Sequence, residues 1–334
     1  MPTHSAMSLS HLKFRHLKLV LHLQEFRNLH KAAKHLSISQ PAASAMLRDL
    51  EALLGLQLFV RSRQGVVPTK DANTLAERAR SMINEFDALV QTVERLAQKS
   101  PPLLRVGLVP QAFVSYLPKA IEHFRRTGGT AALSTQEGTA QQLISLLYEG
   151  MLDCVVGRLS SAGVSSGREL AELSFTRLYD EQICVVEGTA EKATPRPSYA
   201  TLAKRDWVLQ RRDSSVRREL ADAFLRRGLM LPEPIVETTN YIQNLALLER
   251  SSYCSVAPLR AVEMYVKLGT VRILNIPLDI APMPVSFIVR KTTESSMNLA
   301  LLRESFVQAA NPAGRALQPS SLRHKAGKPP IRHP

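Results

Sequence analysis

The sequence contains little cysteine. Its three cysteines, Cys154, Cys184 and Cys254, are an odd number and form no CxxC pair or Cys/His cluster, which argues against a structural zinc site and a disulfide framework. All three lie in apolar stretches, where an isolated cysteine is typically buried and reduced. We expect three free cysteines in the core and no bound metal.

Long hydrophobic runs and a secretion signal are absent as well. No stretch approaches the ~18 consecutive apolar residues that a membrane-spanning helix requires. Met1 to Met7 lack the basic segment and the apolar core of a signal peptide. The sequence therefore predicts a protein of the cytoplasm that has no membrane partner.

Common enzyme signatures are scarce. The chain has no HExxH, P-loop or GxGxxG motif, and these are the patterns that would place metal ligands or phosphate-binding backbone together. Six of the nine histidines are concentrated in the first 70 residues. We expect neither an enzyme nor a resident cofactor, and we keep an enzyme as the least favoured alternative.

Acidic residues are outnumbered, and the basic excess is uneven. The 334 residues include 43 Lys and Arg against 29 Asp and Glu, a net charge of +14. Residues 1–70 hold ten basic and three acidic side chains, while 311–334 hold five basic side chains, five prolines and no acid. Such an excess favours a polyanionic partner, because Lys and Arg replace counterions on phosphates. The composition of 311–334 is typical of a disordered basic tail.

Two helices joined by a short turn are predicted in the basic N-terminal part. Asn28 can cap a helix over 29–36, and Ser39 can cap a second helix from Gln40 to about Leu54. Gly55 ends this second helix. The spacing predicts a helix-turn-helix. Small or apolar residues are expected on the inward stripe of the second helix: Ala42, Met46, Leu47, Leu50 and Leu53/Leu54.

A hairpin and a long helix follow. Two short apolar segments, 57–60 and 66–68, flank a basic tip that contains Gly65, which is the pattern of a wing. Residues 71–98 contain no proline or glycine, and apolar residues recur at alternating spacings of four and three, a heptad seam that predicts pairing with a second copy. The seam consists of Leu75, Ala79, Met82, Phe86, Leu89, Val93 and Leu96.

Short β-rich runs alternate with helical segments after Pro101-Pro102. This βαβαβ order predicts a parallel sheet with right-handed crossovers. A second set of similar runs begins at Tyr179, so we expect two α/β lobes, with a last helix from Ser295 that packs on the first. The predicted parts are a winged helix-turn-helix domain (1–70), a linker helix (71–99), lobe I (102–177 and 291–310), lobe II (178–290) and the tail (311–334).

The chain resembles the LysR-type transcriptional regulators. The resemblance is carried by Ser39-Gln40-Pro41-Ala42-Ala43-Ser44, by Leu58-Phe59-Val60-Arg61 and by Pro68-Thr69, and more diffusely by Arg105-Val106-Gly107 and later segments. It implies an effector domain of two lobes like a periplasmic binding protein, a homodimer through the linker helix and commonly a homotetramer. The implied partners are double-stranded promoter DNA and a small-molecule co-inducer, with RNA polymerase as a further candidate.

Some residues depart from the family pattern. Ala45, Val60 and Asn73 stand where the family often has a basic residue, Glu and Gly, respectively. Where the family often carries Ser or Thr for the effector, this chain has Val109-Pro110-Gln111.

The candidate DNA-binding residues lie on the predicted helices and wing. Gln40, Ser44 and Arg48 share one face of the second helix at i, i+4 and i+8, and Gln and Arg can read adenine and guanine edges in the major groove. Basic wing residues reach phosphates or the minor groove. The full predicted set is Lys31, Lys34, Gln40, Pro41, Ala43, Ser44, Arg48, Arg61 and Arg63.

The candidate effector-binding residues lie at predicted strand ends and helix starts, where open α/β sheets bind ligands and helix N-termini attract anions. Arg158 and Arg211 would suit a carboxylate. The set consists of Gln111, Thr139, Arg158, Arg211, Ser214, Ser215 and Thr239. The expected effector is a small organic acid, an aromatic compound or a sugar derivative. A periplasmic-type solute-binding protein is the alternative function.

Overall fold

The computed structural model describes residues 11–62, 65–158, 171–190, 197–280, 282–294 and 296–310. Its N-terminal unit has three helices and a hairpin: α1 (Phe14–Phe26), α2 (Leu29–His35), α3 (Gln40–Leu54), β1 (Phe59–Ser62) and β2 (Gly65–Pro68). The two strands pair antiparallel, with Phe59 opposite Pro68. This is a winged helix-turn-helix, as the sequence predicts. Arg63 lies outside the described residues.

The starts of α2 and α3 are set by side-chain caps. Asn28 accepts a hydrogen bond from the Lys31 amide at 3.0 Å, and the Ser39 hydroxyl accepts one from the Ala42 amide at 3.3 Å. These caps satisfy amides that a helix leaves unpaired in its first turn. Gly55 ends α3 in the left-handed conformation, with φ +65°. Both helices therefore begin where the sequence predicts.

The predicted roles of Ala42 and Ala43 are reversed in the structure. Ala43 is fully buried in the N-terminal core, between α3 and residues of α1 and α2, whereas Ala42 is exposed. Consecutive helical residues lie about 100° apart around the axis, and two neighbouring alanines give no signal of which one faces inward. The prediction that Ala43 contacts DNA is therefore wrong, as is the placement of Ala42 on the inward stripe.

The wing is fixed to the helices through the backbone at Arg27. The Val66 amide donates to the Arg27 carbonyl oxygen at 2.9 Å. Gly65 has φ +118°, and a Cβ there would lie 2.4 Å from the same oxygen, so only glycine fits this approach. At the other end of the hairpin, Glu51 accepts hydrogen bonds from the amides of Leu58 and Phe59 at 2.8 and 3.1 Å. The wing thus has a fixed position beside α3.

The linker helix α4 (Lys70–Ala97) has two different halves. Its first half packs on α1 through buried alanines and Ile83. From Met82 onward the helix leaves apolar side chains exposed: Met82, Phe86, Leu89, Val90, Val93 and Leu96. Ala79, which we predicted in the seam, is buried within the chain, so the open part of the heptad seam begins at Met82.

The first part of the C-terminal region forms lobe I: β3 (Leu103–Leu108), α5 (Pro110–Ser115), α6 (Leu117–Arg126), β4 (Ala132–Glu137), α7 (Ala140–Tyr148), β5 (Cys154–Arg158) and β6 (Leu173–Glu181). Strands β4, β3 and β5 pair in parallel. Lobe II follows with β7 (Ile183–Gly188), α8 (Tyr199–Leu202), β8 (Val208–Gln210), α9 (Ser215–Leu225), β9 (Val236–Thr238), α10 (Tyr241–Leu248), β10 (Cys254–Pro258), α11 (Leu259–Lys267) and β11 (Val271–Ile273).

The chain then returns to lobe I. β12 (Met283–Arg290) inserts antiparallel between β5 and β6, and the sheet has the five-stranded order β4-β3-β5-β12-β6. A single 3₁₀ turn (Lys291–Thr293) leads into α12 (Met297–Ala310), which packs on α6. The predicted lobe boundaries, 178 and 290, are therefore wrong at both ends: β6 and β12 belong to the lobe I sheet, which is mixed rather than parallel. The predicted packing of the last helix on lobe I is confirmed.

The three cysteines are buried and free, as predicted. Burial raises the pKa of the Cys184 and Cys254 thiols to about 12. None of the helices in the described part of the chain combines the length and the hydropathy that a bilayer crossing needs.

Candidate DNA interface and effector crevice

One face of α3 is open to solvent. Gln40, Pro41 and Arg48 are exposed, and Ser44 is half-buried between them along the helix. On α2, Lys31 and Lys34 are exposed and three residues apart, so they share a face. Apart from Ala43 and the undescribed Arg63, the predicted DNA-binding residues are thus accessible to a partner on the winged unit.

Ser44 links the recognition helix to the wing. Its hydroxyl oxygen accepts hydrogen bonds from the guanidinium of Arg48 and from that of Arg61 on β1, each at 3.2 Å. The two cations are therefore held side by side on one surface. No local pattern indicates the contact between Ser44 and Arg61, because they are 17 positions apart and meet only through the fold.

A crevice of about 300 Å³ lies between the two lobes. All seven predicted effector-binding residues line it, from both sides: Gln111, Thr139 and Arg158 from lobe I, and Arg211, Ser214, Ser215 and Thr239 from lobe II. Ala140, Ser215 and Tyr241 are the first residues of α7, α9 and α10 and also line it. The positive ends of three helix dipoles therefore face this space, an arrangement that favours an anion.

Four of the seven predicted residues already have side-chain partners within the protein: Gln111, Thr139, Arg158 and Thr239. Gln111 is buried, donates to Ser115 at 2.7 Å and accepts from the Tyr241 hydroxyl of lobe II at 2.8 Å. Arg158 is paired with Glu181 at 2.5 Å, and burial raises the pKa of that carboxyl while Arg158 lowers it.

The two threonines are partnered within their own helix starts. The Thr139 hydroxyl accepts from the Gln142 amide at 3.3 Å, and the amide and the hydroxyl of Thr239 both donate to the Gln243 side chain, at 3.0 Å each. Gln111 thus bridges the lobes at the base of the crevice, and Arg158 has its charge largely balanced.

Arg218 is a crevice residue that the sequence-based prediction missed. It lines the cavity one helical turn after Ser214 and Ser215. Its i+3 and i+4 spacing from these two serines could have identified it, since residues at this spacing share a helix face. Within the described residues, neither Arg218 nor Arg211 has an ion-pair partner. Two positive charges are therefore available on the lobe II wall.

Two further hydrogen bonds join the lobes. Asn240 donates to Glu137 at 3.0 Å, and Arg260 donates to the Tyr116 hydroxyl at 3.1 Å. With the bond between Tyr241 and Gln111, they hold the lobes together around the crevice.

Sequence models of two families match this chain. The model described as "Bacterial regulatory helix-turn-helix protein, lysR family" matches residues 14–73, and the "LysR substrate binding domain" matches residues 97–311. The chain is a member of the LysR family of transcriptional regulators. It is accordingly a DNA-binding regulator with an effector-binding domain and not an enzyme. The helix-turn-helix match also sets aside the periplasmic solute-binding alternative.

Other LysR regulators resemble it over most of their length. The HTH-type transcriptional regulator PcaQ of Agrobacterium fabrum is 29% identical over 303 residues, which cover 90% of this chain and 95% of that protein. GbpR of Azospirillum brasilense is 27% identical over 266 residues, covering 79% and 76%.

Solved structures of LysR regulators share the fold. CbnR aligns with a TM-score of 0.56 at 20% identity, covering 90% of this chain and 99% of that one. A full-length OxyR variant from Pseudomonas aeruginosa aligns with a TM-score of 0.56 at 19% identity, covering 92% and 99%.

Proposed function

We propose that this LysR regulator reads double-stranded promoter DNA in the cytoplasm through the exposed face of α3. Gln40 and Arg48 have the donors and acceptors that distinguish base edges in the major groove. Pro41 offers an apolar contact, for example to a thymine methyl group, and Ser44 orients Arg48. The open α3 face, with Arg48 and Arg61 joined through Ser44, supports this assignment.

Phosphate contacts come from cations beside α3 in this proposal. Lys31 and Lys34 lie on α2, the helix that crosses the DNA backbone in a helix-turn-helix. Arg61 extends the positive surface to the wing, and Arg63 is proposed to continue it. Such contacts fix the register of the protein on DNA and make the affinity fall with salt.

The regulator is proposed to act as a dimer through α4. From Met82 to Leu96 this helix exposes five apolar side chains in heptad register, and a seam of this kind is buried when two helices pair. A homotetramer and a contact with RNA polymerase stay predictions.

The effector is proposed to be a small anion, most simply an organic acid. The observation that carries this proposal is the lobe II wall, where Arg211 and Arg218 accompany the hydroxyls of Ser214 and Ser215 at the start of α9. Ser214 makes no side-chain capping bond there. An effector that contacts both lobes would change how they close, and closure would alter how dimers pack and bend DNA.

Thermal unfolding with paired ligands tests this proposal. We suggest benzoate and succinate against their neutral amides, since each pair differs chiefly in charge. At least one acid should raise the Tm of the protein, and its amide should not. Arg218→Gln should weaken acid binding at least tenfold, whereas Arg126→Gln, on the surface of lobe I, should not. Equal stabilisation by acid and amide, or unchanged acid binding in Arg218→Gln, would contradict an anionic effector at this wall.

A further inference from the structure

The α7–β5 unit of lobe I runs from the crevice to the linker helix. The first turn of α7, at Thr139 and Ala140, and the last residue of β5, Arg158, both line the crevice. The nine residues of α7 span about 13 Å at ~1.5 Å per residue. The opposite end of α7 is joined to β5 by the connection 149–153. One helix and one strand thus extend from the crevice to a single loop.

The linker helix contacts this loop directly. The Asn84 side-chain amide of α4 donates to the carbonyl oxygen of Glu149 at 2.6 Å. Gly150 has φ +74°, and a Cβ at this position would lie 3.1 Å from a carboxylate oxygen of Glu85. The left-handed backbone conformation favours glycine here, and a side chain at this position would crowd Glu85.

Arg290 joins the same elements from the end of β12. Its guanidinium donates to the carbonyl oxygen of Leu147, in the last turn of α7, and to that of Leu152, within the loop, the latter at 3.1 Å. It also pairs with Glu85 at 2.5 Å, and its side chain is only 11% exposed. One largely buried cation thus connects the last turn of α7, the loop 149–153 and the linker helix.

We infer that Glu85 and Asn84 are positioning residues that couple the crevice to the DNA-binding unit. A helix and a strand with intact hydrogen bonds move nearly as rigid bodies, so a displacement at Thr139 or Arg158 reaches the loop 149–153. Glu85 and Asn84 then transmit it to α4, which carries the winged unit at its other end. This inference rests on the proposed role of the crevice.

The coupling must act in both directions, because linkage between two binding sites is reciprocal. DNA bound by the winged unit should therefore alter α7 and β5, and no effector is needed to observe it. The chain offers a matched control on the same helix. Asp87 is an exposed acid two residues beyond Glu85, without a hydrogen-bond partner among the described residues. Glu85→Gln and Asp87→Asn make the same change of charge.

Hydrogen exchange of the full-length protein, with and without a promoter fragment obtained by footprinting, tests the inference. Saturating DNA should change the exchange rates of amides in α7 and β5 at least twofold in the wild type and in Asp87→Asn. In Glu85→Gln and in Asn84→Ala this change should disappear, while the Kd for DNA stays within twofold and the Tm is retained. If either residue had a merely structural role, its substitution would not remove the exchange response while leaving the Kd and the Tm unchanged.

Two results would overturn the inference: exchange in α7 and β5 that does not respond to DNA in the wild type, or a full response in both Glu85→Gln and Asn84→Ala. If one variant has a lowered Tm, the exchange rates of the other variant still test the inference, because the two residues contact different atoms of lobe I. The exchange result does not depend on the thermal-unfolding experiment with acids, so a wrong effector assignment and a wrong coupling assignment are distinguishable.

Discussion

The hydroxyl of Ser44 on α3 and the guanidinium of Arg61 on the wing are joined by a hydrogen bond of 3.2 Å. Arg48 donates to the same oxygen from one turn further along α3. Ser44 therefore does more than present a polar group to DNA. It holds a cation of the helix and a cation of the wing in one fixed arrangement, so that both can meet the duplex together.

Removal of this shared acceptor should weaken specific binding. Ser44→Ala frees both guanidinium groups, and ordering them on DNA then costs conformational entropy. We expect about a tenfold loss of affinity for the promoter site, near the lower end of the ~1.5–3 kcal/mol that hydrogen bonds to charged groups contribute. Fluorescence anisotropy with promoter and random duplexes measures it. A variant that binds the promoter site as tightly as the wild type would show that Ser44 has no orienting role.

Because Ala43 is buried and Ala42 is exposed, the same substitution should affect stability differently at these two positions. Ala43→Leu inserts three carbon atoms into a filled core and should destabilise the N-terminal unit by ~1–3 kcal/mol. Ala42→Leu adds the same atoms to an exposed site and should leave stability nearly unchanged. Urea unfolding followed by amide exchange in α1 to α3 compares them. Equal destabilisation by both substitutions would be inconsistent with the orientation of α3.

The exposed seam predicts the oligomeric state. Leu89→Lys places a charge in the apolar face of α4, where a second copy would have to bury it. Sedimentation equilibrium should show a shift toward monomer, with at least a tenfold weaker association, whereas Asp87→Asn on the same helix should associate like the wild type. An unchanged assembly in Leu89→Lys would mean that this half of α4 is not the dimer contact.

His22 predicts a loss of stability at acidic pH. Burial lowers its pKa, the neighbouring His35 and Lys18 lower it further, and Glu25 opposes them. Its ring lies 5.9 Å from that of Phe26 and 5.5 Å from that of His35. Because the unfolded chain binds the proton more readily, the stability present above about pH 6.5 falls as the pH drops below that value toward the folded-state pKa.

Unfolding of α1 and α2 at pH 8 and at pH 5.5 measures the effect. His22→Phe should reduce the pH dependence, and a substitution of the exposed His30 should not. Burial also lowers the pKa of His16, so His16 accounts for the pH dependence of stability that remains in His22→Phe. If His22→Phe and wild type lose the same stability on acidification, protonation of His22 is not the cause.

The parts of the structure that could be predicted from the sequence depend on residues close together in the chain. The caps Asn28 and Ser39 and the terminating Gly55 act within one helical turn, so α2 and α3 could be placed from the residues alone. Strand ends and helix starts likewise brought all seven predicted crevice residues to one cavity, because parallel βα units place these ends at one edge of a sheet.

Contacts that form only in the fold could not be predicted. The return of β12 into the lobe I sheet depends on pairing with β5, far earlier in the chain. The bond from Tyr241 to Gln111 joins residues 130 positions apart, and it explains why Gln111 bridges the lobes rather than standing free for a ligand. The choice between Ala42 and Ala43 was open for a different reason, since their side chains are identical.

The central claim, that the exposed face of α3 reads a promoter sequence, is tested most directly by DNase I footprinting of the DNA beside the coding region. The wild type should protect a defined site, and the double variant Gln40→Ala/Arg48→Ala should lose that protection while it binds random DNA within about threefold of the wild type. Protection of the same site by the double variant at the same concentration would contradict the claim.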